Sequence, residues 1–573
     1  MIAVILYWFF LFFVSAVIGN AAVSRLGINK AHVAVVPFVG ILCTTLLASM
    51  YAVFAGLSLY FELSLLILVG VIFSLTRKDF QNYLKRLQEI WKGMNQFLQA
   101  LFVIIFFLAA FKSAGLPFIL DNETYYVATI KWLDHYGFVP GLANLHLFLA
   151  QHSGWHIAQS SLNLDFLYPH FNDLNGFCLV LVTLYALDQL HQYFESKKIS
   201  SLIIGLFPVF YVLLFQFLSS PSPDLPIYVL SVLIVGAFFD HVEEDGASTI
   251  PLMLLLAVFA SFIKVTAALL LVFPLAAWLF YKKSAKGKKW LVLGTGLLAA
   301  VLFGLKNYII SGYVLYPLSF SAVKGLDWLL PPDLLSYIVD STKAFGFYLA
   351  TEDYLSKNTL ELFLSWIGMS GLHGYFNKYW ILLLAVFPVL LFFRKEKKTL
   401  WLLYAVSMLQ FLLLWLSSPQ YRFYLGFLIL LSAVIMAWVV HQRMWMIRLS
   451  LVISVVLIFV TTFFNLNIAA LTDNEAHSTL DTFTLNHMIE PQGNSKYVEA
   501  TFTENDLDDT PMYSPEGIDF FWAVGDCPLP CIQVDQYNYF RYHFKRVPAM
   551  RTDQLKDGFY SKKVPDQNFD LEE

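Results

Sequence analysis

The sequence predicts an all-α polytopic membrane protein of about fourteen transmembrane helices, ending in a small α/β or irregular tail. Three observations predict it. The 573 residues are 58% apolar and 14% charged, with 54 Phe and 14 Trp, whereas a soluble domain carries about 25% charged residues. Apolar runs long enough to approach a bilayer thickness recur along most of the chain. Basic residues gather in alternate short connections between those runs. The balance excludes an ordinary soluble enzyme and a disordered chain, and a net charge of −4 gives no reason to expect nucleic acid as a partner.

The apolar runs fall at 1–20, 32–54, 57–75, 97–112, 174–190, 201–218, 226–239, 249–263, 265–281, 290–305, 379–393, 399–416, 425–440 and 449–465. The first lacks a basic leading segment, so it is expected to be retained as a helix rather than cleaved. Arg25 and Lys30, the 77–92 segment, Lys197 and Lys198, the lysines of 282–289, the 394–398 cluster, and Arg443 and Arg448 hold 20 of the 37 Lys+Arg residues. The positive-inside rule puts these connections in the cytoplasm. Acidic residues weigh little in that rule, so parity keeps the 240–246 connection with them. The long segments 113–173 and 306–378, and the tail 466–573, then share the extracytoplasmic face. Five parts follow: 1–96 with three helices and a cytoplasmic loop, a 97–305 core containing the first external loop 113–173, the large external loop 306–378, four C-terminal helices over 379–465, and the 466–573 tail. The tail carries 19 Asp+Glu against 8 Lys+Arg and reads as a soluble appendage.

No run carries an ionisable residue near its middle, since Glu62, Lys112, Asp188 and Lys264 all lie near predicted ends. Proton-coupled carriers place such groups within the bilayer, so a carrier is disfavoured. Polar residues converge instead at one predicted face. Asp121-Asn122-Glu123-Thr124-Tyr125-Tyr126 begins shortly after the fourth run, and two carboxylates at i and i+2 there are expected to share one headgroup-level cavity. On the same face stand Ser222-Pro223-Asp224, Ser261-Phe262-Ile263-Lys264, Lys306-Asn307-Tyr308 and Ser418-Pro419-Gln420-Tyr421-Arg422-Phe423. A carboxylate can take the proton of an attacking hydroxyl, and Lys and Arg can hold a departing phosphate. That inventory suits sugar transfer from a lipid phosphate, whose charged group stays at headgroup depth while its tail remains in hydrocarbon.

Each residue also has a plainer reading. Asp224 can cap a helix and Lys264 can snorkel. His146, His152 and His156 occupy one loop; their spacing lets only His152 and His156 share a helical face, and no cysteine or carboxylate completes a metal site, so interface positions are expected. Trp132 and Trp155 are expected in the aromatic belt. Cys43 and Cys178 lie in apolar runs, whereas Cys527 and Cys531 in Cys-Pro-Leu-Pro-Cys fit a small-loop disulfide outside the cytoplasm.

With the acidic motif directly after a span, the chain resembles the GT-C superfamily of polytopic, lipid-phosphate-sugar-dependent glycosyltransferases, and most closely large uncharacterised bacterial membrane proteins of that type. The resemblance rests on Asp121 and Glu123 opening the first external loop, Asp224 at a second acidic position, and Lys306-Asn307-Tyr308 through Ser311-Gly312 to Tyr316-Pro317, over roughly 97–320. It implies a seven-helix GT-C-like core, a bacterial inner (cytoplasmic) membrane location and an inverting transferase. A polyprenyl-phosphate-linked sugar would be the donor, and an extracytoplasmic glycan, lipid or protein the acceptor. Asp121 would be the general base, with Glu123, Asp224, Lys264, Lys306 and Arg422 binding substrate. Three runs precede the core here, and the motif is Asp-x-Glu rather than Asp-x-Asp. A divalent cation, Mg or Mn, held by Asp121, Glu123 and Asp224, is therefore left open. The alternatives are a lipid-linked glycan flippase or exporter, and a non-catalytic membrane assembly factor presenting its tail.

Overall fold

A computed structural model describes the chain except residues 29–30, 244–248, 282–288, 394–397, 473–482, 509 and 566–573. Lys30, most of the 282–289 lysines, the basic cluster at 394–397, and Glu244 and Asp245 of the acidic connection lie outside the described residues.

Every apolar run coincides with helix, but the runs are not equivalent. Ten helices among the described residues are long and apolar enough to cross a membrane: Ile2–Leu26, Leu59–Gly93, Gln96–Ser113, Leu174–Ser196, Asp224–Glu243, Trp290–Ser311, Gly371–Phe392, Lys398–Ser417, Tyr421–Val440 and Met444–Phe463. The other four runs are shorter or broken. Val36–Tyr51 has 16 residues and Ile250–Ile263 has 14, which at about 1.5 Å per residue fall short of a hydrocarbon core of about 30 Å. The 201–218 run divides at Pro208, where Ile199–Gly205 gives way to 3-10 turns over Phe207–Leu213. The 265–281 run begins as a 3-10 stretch, Val265–Leu271, before Val272–Phe280 becomes α-helical. Hydropathy detects apolar content, and it cannot see a backbone that changes pitch within an apolar run.

The 57–75 run does not stop at the basic segment. It continues as one helix, Leu59–Gly93, bent at Thr76, where φ −115° and ψ 19° leave the helical range. Beyond the bend, Phe80 and Tyr83 are buried while the flanking Arg77, Lys78 and Lys85 are exposed, an amphipathic extension that lies against the bundle.

Large apolar side chains such as Phe9, Ile67, Leu297 and Trp445 are exposed on these helices, as expected where hydrocarbon rather than water is the outer solvent. The innermost helices are Leu174–Ser196 and Asp224–Glu243, each with 83% of its apolar window buried. Close backbone approach is built in at one pair: a Cβ on Gly40 would stand 1.9 Å from the Ser15 carbonyl oxygen, so only glycine lets the Val36–Tyr51 helix seat against Ile2–Leu26.

The long connections and the tail meet in a single cap at one end of the helices. Gly141 donates to the Ile309 carbonyl and Asn144 to that of Trp328, tying 113–173 to 306–378. Arg546 pairs with Asp333, and Trp522, Phe540 and Phe544 pack on Tyr337. The tail contains two antiparallel strand pairs, Thr501–Leu507 with Thr510–Glu516 and Arg546–Met550 with Phe559–Lys563, plus the helix Val534–Phe544. Cys527 and Cys531 are bridged. The 306–378 segment is itself largely helical, with Pro332–Gly346, Thr351–Ser356 and Thr359–Gly368.

Candidate active site at the helix ends

Three separate chain breaks deliver charge to one point beneath the cap. Pro419 ends the Lys398–Ser417 helix, and a new helix starts at Tyr421, which puts Arg422 in its first turn. A cation is poorly placed there against the helix dipole, so Arg422 needs acidic neighbours. Ser222-Pro223 precedes the helix that opens at Asp224, an acidic start that the dipole favours. Lys264 is the extended residue, φ −148° and ψ 119°, at which the Ile250–Ile263 helix stops and the 3-10 stretch begins.

These side chains form an alternating chain of charge. Arg422 donates to Oδ2 of Asp121 at 2.7 Å and stands 3.9 Å from Oδ2 of Asp224, while Lys264 donates to Oδ1 of Asp224 at 2.7 Å. Two anions and two cations thus neutralise one another where each alone would pay several kcal/mol of desolvation. Asp224 is the deepest member, with its side chain 3% exposed against 26% for Asp121. Gln420 accepts from Arg422 Nε at 2.9 Å, and the Phe423 ring lies 3.5 Å below the Lys264 ammonium and 5.0 Å from the guanidinium. Tyr228 donates to the Arg422 carbonyl. A cavity lined by Asp224, Lys264, Arg422, Phe423, Tyr228 and Gln410 opens beside the charges. Gln410 sits within the Lys398–Ser417 helix, and its Oε1 is buried without a partner among the described residues.

Asp121 is held by its own local turn. Residues Asn122–Tyr126 form one π-helical turn, a distortion frequent at functional sites, and it carries the Tyr126 hydroxyl to Asp121 Oδ2 at 3.2 Å. Burial, with the Asp121 charge next, holds the Tyr125 and Tyr126 hydroxyls well above the usual tyrosine range, so both stay protonated donors. Arg422 and Tyr126 both engage Oδ2, which leaves Oδ1 as the oxygen open to an incoming proton.

Two other residues of the sequence reading lie elsewhere. Glu123 does not stand with Asp121 beside Arg422, and neither carboxylate lines the cavity. It is fully buried and faces the tail, accepting from the Ser495 hydroxyl, from the Lys496 amide at 3.1 Å and from Asn122 Nδ2 at 3.0 Å. Its carbonyl takes the Val524 and Gly525 amides at 2.8 and 2.9 Å. The reason is geometric: residues i and i+2 of a helical turn point to opposite sides. Lys306 is buried and donates to the His152 carbonyl rather than joining Asp224.

Asp121 and Asp224 pair with cations and Glu123 faces the tail, and among the described residues no group of three or more His, Cys, Asp or Glu gathers as a metal site. His146, His152, His156, Trp132 and Trp155 are all buried within the protein. Tyr126, Gln410, Gln420, Tyr228 and Phe423 are the site residues to which the sequence gives no role. Three of them lie within five residues of Asp121 or Arg422, and that proximity was the available signal.

A family model described as a domain of unknown function, DUF8201, matches residues 1–429. The chain belongs to that family. The match takes in Asp121, Asp224, Lys264 and Arg422, so the whole charge chain lies within the family's domain and the 466–573 tail lies beyond it. No curated protein and no solved structure matches the chain.

Proposed function

We propose that the protein is a membrane glycosyltransferase of GT-C type, which moves a sugar from a polyprenyl-phosphate donor to an extracytoplasmic acceptor in a bacterial inner membrane, with inversion. The observation that carries this reading is the Asp121–Arg422–Asp224–Lys264 chain at the helix ends beside an open cavity. Oδ1 of Asp121 takes the acceptor hydroxyl's proton as that oxygen bonds to the anomeric carbon. The bond from the anomeric carbon to the phosphate oxygen breaks with its electron pair, and Lys264 and Arg422 stabilise the phosphate that departs. Asp224 keeps both cations in place between turnovers. The buried Gln410 carbonyl and the apolar wall of the cavity suit a ligand that is polar at one end and hydrocarbon at the other.

The test is to incubate the detergent-purified chain and its Asp121→Asn variant with radiolabelled polyprenyl-phosphate sugars and a membrane extract as acceptor. Sugar release by the wild type alone is the expected result. Equal release by a folded Asp121→Asn variant rules out Asp121 as the base, and transport of a lipid-linked glycan that survives that substitution favours a flippase instead.

A further inference from the structure

Beyond Tyr126 lies a second buried group of polar side chains, and this one holds no acid. Lys306 is 3% exposed, and its ammonium donates to the His152 carbonyl; among the described residues it forms no ion pair. His152 and His156 are 2% and 0% exposed, and among the described residues none of their four ring nitrogens has a hydrogen-bond partner. Burial first, and the Lys306 charge after it, depress both imidazoles, His156 to about 3, so each is neutral with one N–H to donate.

A buried lysine amine held by one carbonyl and the Phe303 ring 5.0 Å away, beside two imidazoles with no acceptor among the described residues, lacks a partner of a definite kind. Water would supply acceptor oxygens but no charge. An oxyanion supplies both, taking hydrogen bonds from the ammonium and from each ring while neutralising the one cation. We infer that Lys306, His152 and His156 bind an oxyanion, a phosphate or carboxylate, borne by the acceptor.

The group is tied to the charge chain from two sides. The His156 ring is centred 4.8 Å from that of Tyr126, whose hydroxyl reaches Asp121. Ser153, next to His152, donates to the Ile263 carbonyl at 2.8 Å, next to Lys264. In the transferase reading Lys264 and Arg422 hold the donor's phosphate, which leaves the second oxyanion to the acceptor. That assignment rests on the reading, whereas the oxyanion site does not.

The test titrates the full-length chain in detergent with inorganic phosphate and with acetate at constant ionic strength, by calorimetry, and repeats it with Lys306→Met and His156→Gln. A charge-assisted contact predicts that Lys306→Met loses about ten-fold or more in affinity for the better-bound anion. His156→Gln, which stays polar and neutral, weakens binding less and serves where Lys306→Met does not fold. Wild-type affinity in both variants, or no anion binding at millimolar concentration in the wild type, overturns the site. In transfer assays Lys306→Met raises the acceptor KM while the donor KM holds. A rise in donor KM alone overturns the assignment to the acceptor. Anion binding that depends on Lys306, in a wild type that transfers no sugar, upholds the site and removes the transferase reading.

Discussion

Asp121 and Glu123 stand two residues apart in one turn, and the structure satisfies the two carboxylates in opposite ways. Asp121 meets a guanidinium and a tyrosine hydroxyl, keeps one oxygen open and is 26% exposed. Glu123 meets an amide, a hydroxyl and a carboxamide, all neutral, and is sealed beneath the tail. A carboxylate with one oxygen left open beside a cation can serve as a base. Burial raises the Glu123 carboxyl against its three hydrogen bonds and the Lys496 charge, and Glu123 serves as a fastener. Chemistry and anchorage are thereby separated within a single turn. The tail can be clamped behind the charge chain without using any of its members.

The largest effect expected from breaking this contrast is on turnover. In the proposed transferase reading Asp121→Asn keeps the shape and removes the base, so it should lower transfer by about 10²–10⁴-fold with the thermal midpoint little changed. Glu123→Gln should leave transfer within about three-fold, since it removes no group from the cavity. Comparable losses in both variants would show that the two carboxylates act together after all.

The charge chain was only partly legible in the sequence. Sidedness and Pro-bounded breaks gathered Asp121, Asp224, Lys264 and Arg422 at one face, because helix ends are where a membrane protein can keep ionised groups. Glu123 was misread because the spacing was judged as a linear motif, and a helical turn points i and i+2 apart. Lys306 lies apart from the charge chain for a different reason: proximity to a predicted span end fixes depth but not the direction of the side chain around the helix. The four short or broken apolar helices were invisible to hydropathy, which gives the same score to an α-turn and a 3-10 turn.

Next in size is the deep end of the chain. Asp224→Asn leaves Lys264 without its 2.7 Å partner and Arg422 with only Asp121. Breaking a buried pair from one side costs about 3 kcal/mol or more, which a thermal or chemical unfolding midpoint will register. Replacing Asp224 and Lys264 together by Asn and Met should restore much of that stability without restoring transfer, separating folding from chemistry.

The fastener should respond to pH with a definite sign. Burial raises the Glu123 carboxyl above the ordinary value of 4.5, against the opposing bonds from Ser495, Asn122 and the Lys496 amide. A raised carboxyl favours the protonated folded state, so its contribution is complete below 4.5 and is lost as pH climbs through the folded value. The tail should therefore be held more firmly in mild acid. Hydrogen-exchange protection of the Lys496, Val524 and Gly525 amides, corrected for intrinsic rates, should fall as pH rises in the wild type and stay flat in Glu123→Gln. The loss should be about 1–3 kcal/mol at most, the cost of an imperfectly satisfied buried polar group.

The smallest effect belongs to a further link between the same turn region and the tail. Lys131 pairs with Asp526 at 3.0 Å, but the aspartate side chain is 40% exposed, and the ammonium also donates to the Asp526 and Cys527 carbonyls. Solvent screens the ion pair and the two carbonyls hold the lysine without it. Asp526→Asn should therefore shift unfolding by less than about 0.5 kcal/mol and leave exchange at Val524 and Gly525 unchanged. A larger shift would mean that the tail is fastened by charge at its edge, and the contrast between a charged site and a neutral clamp would then have to be redrawn around Lys131.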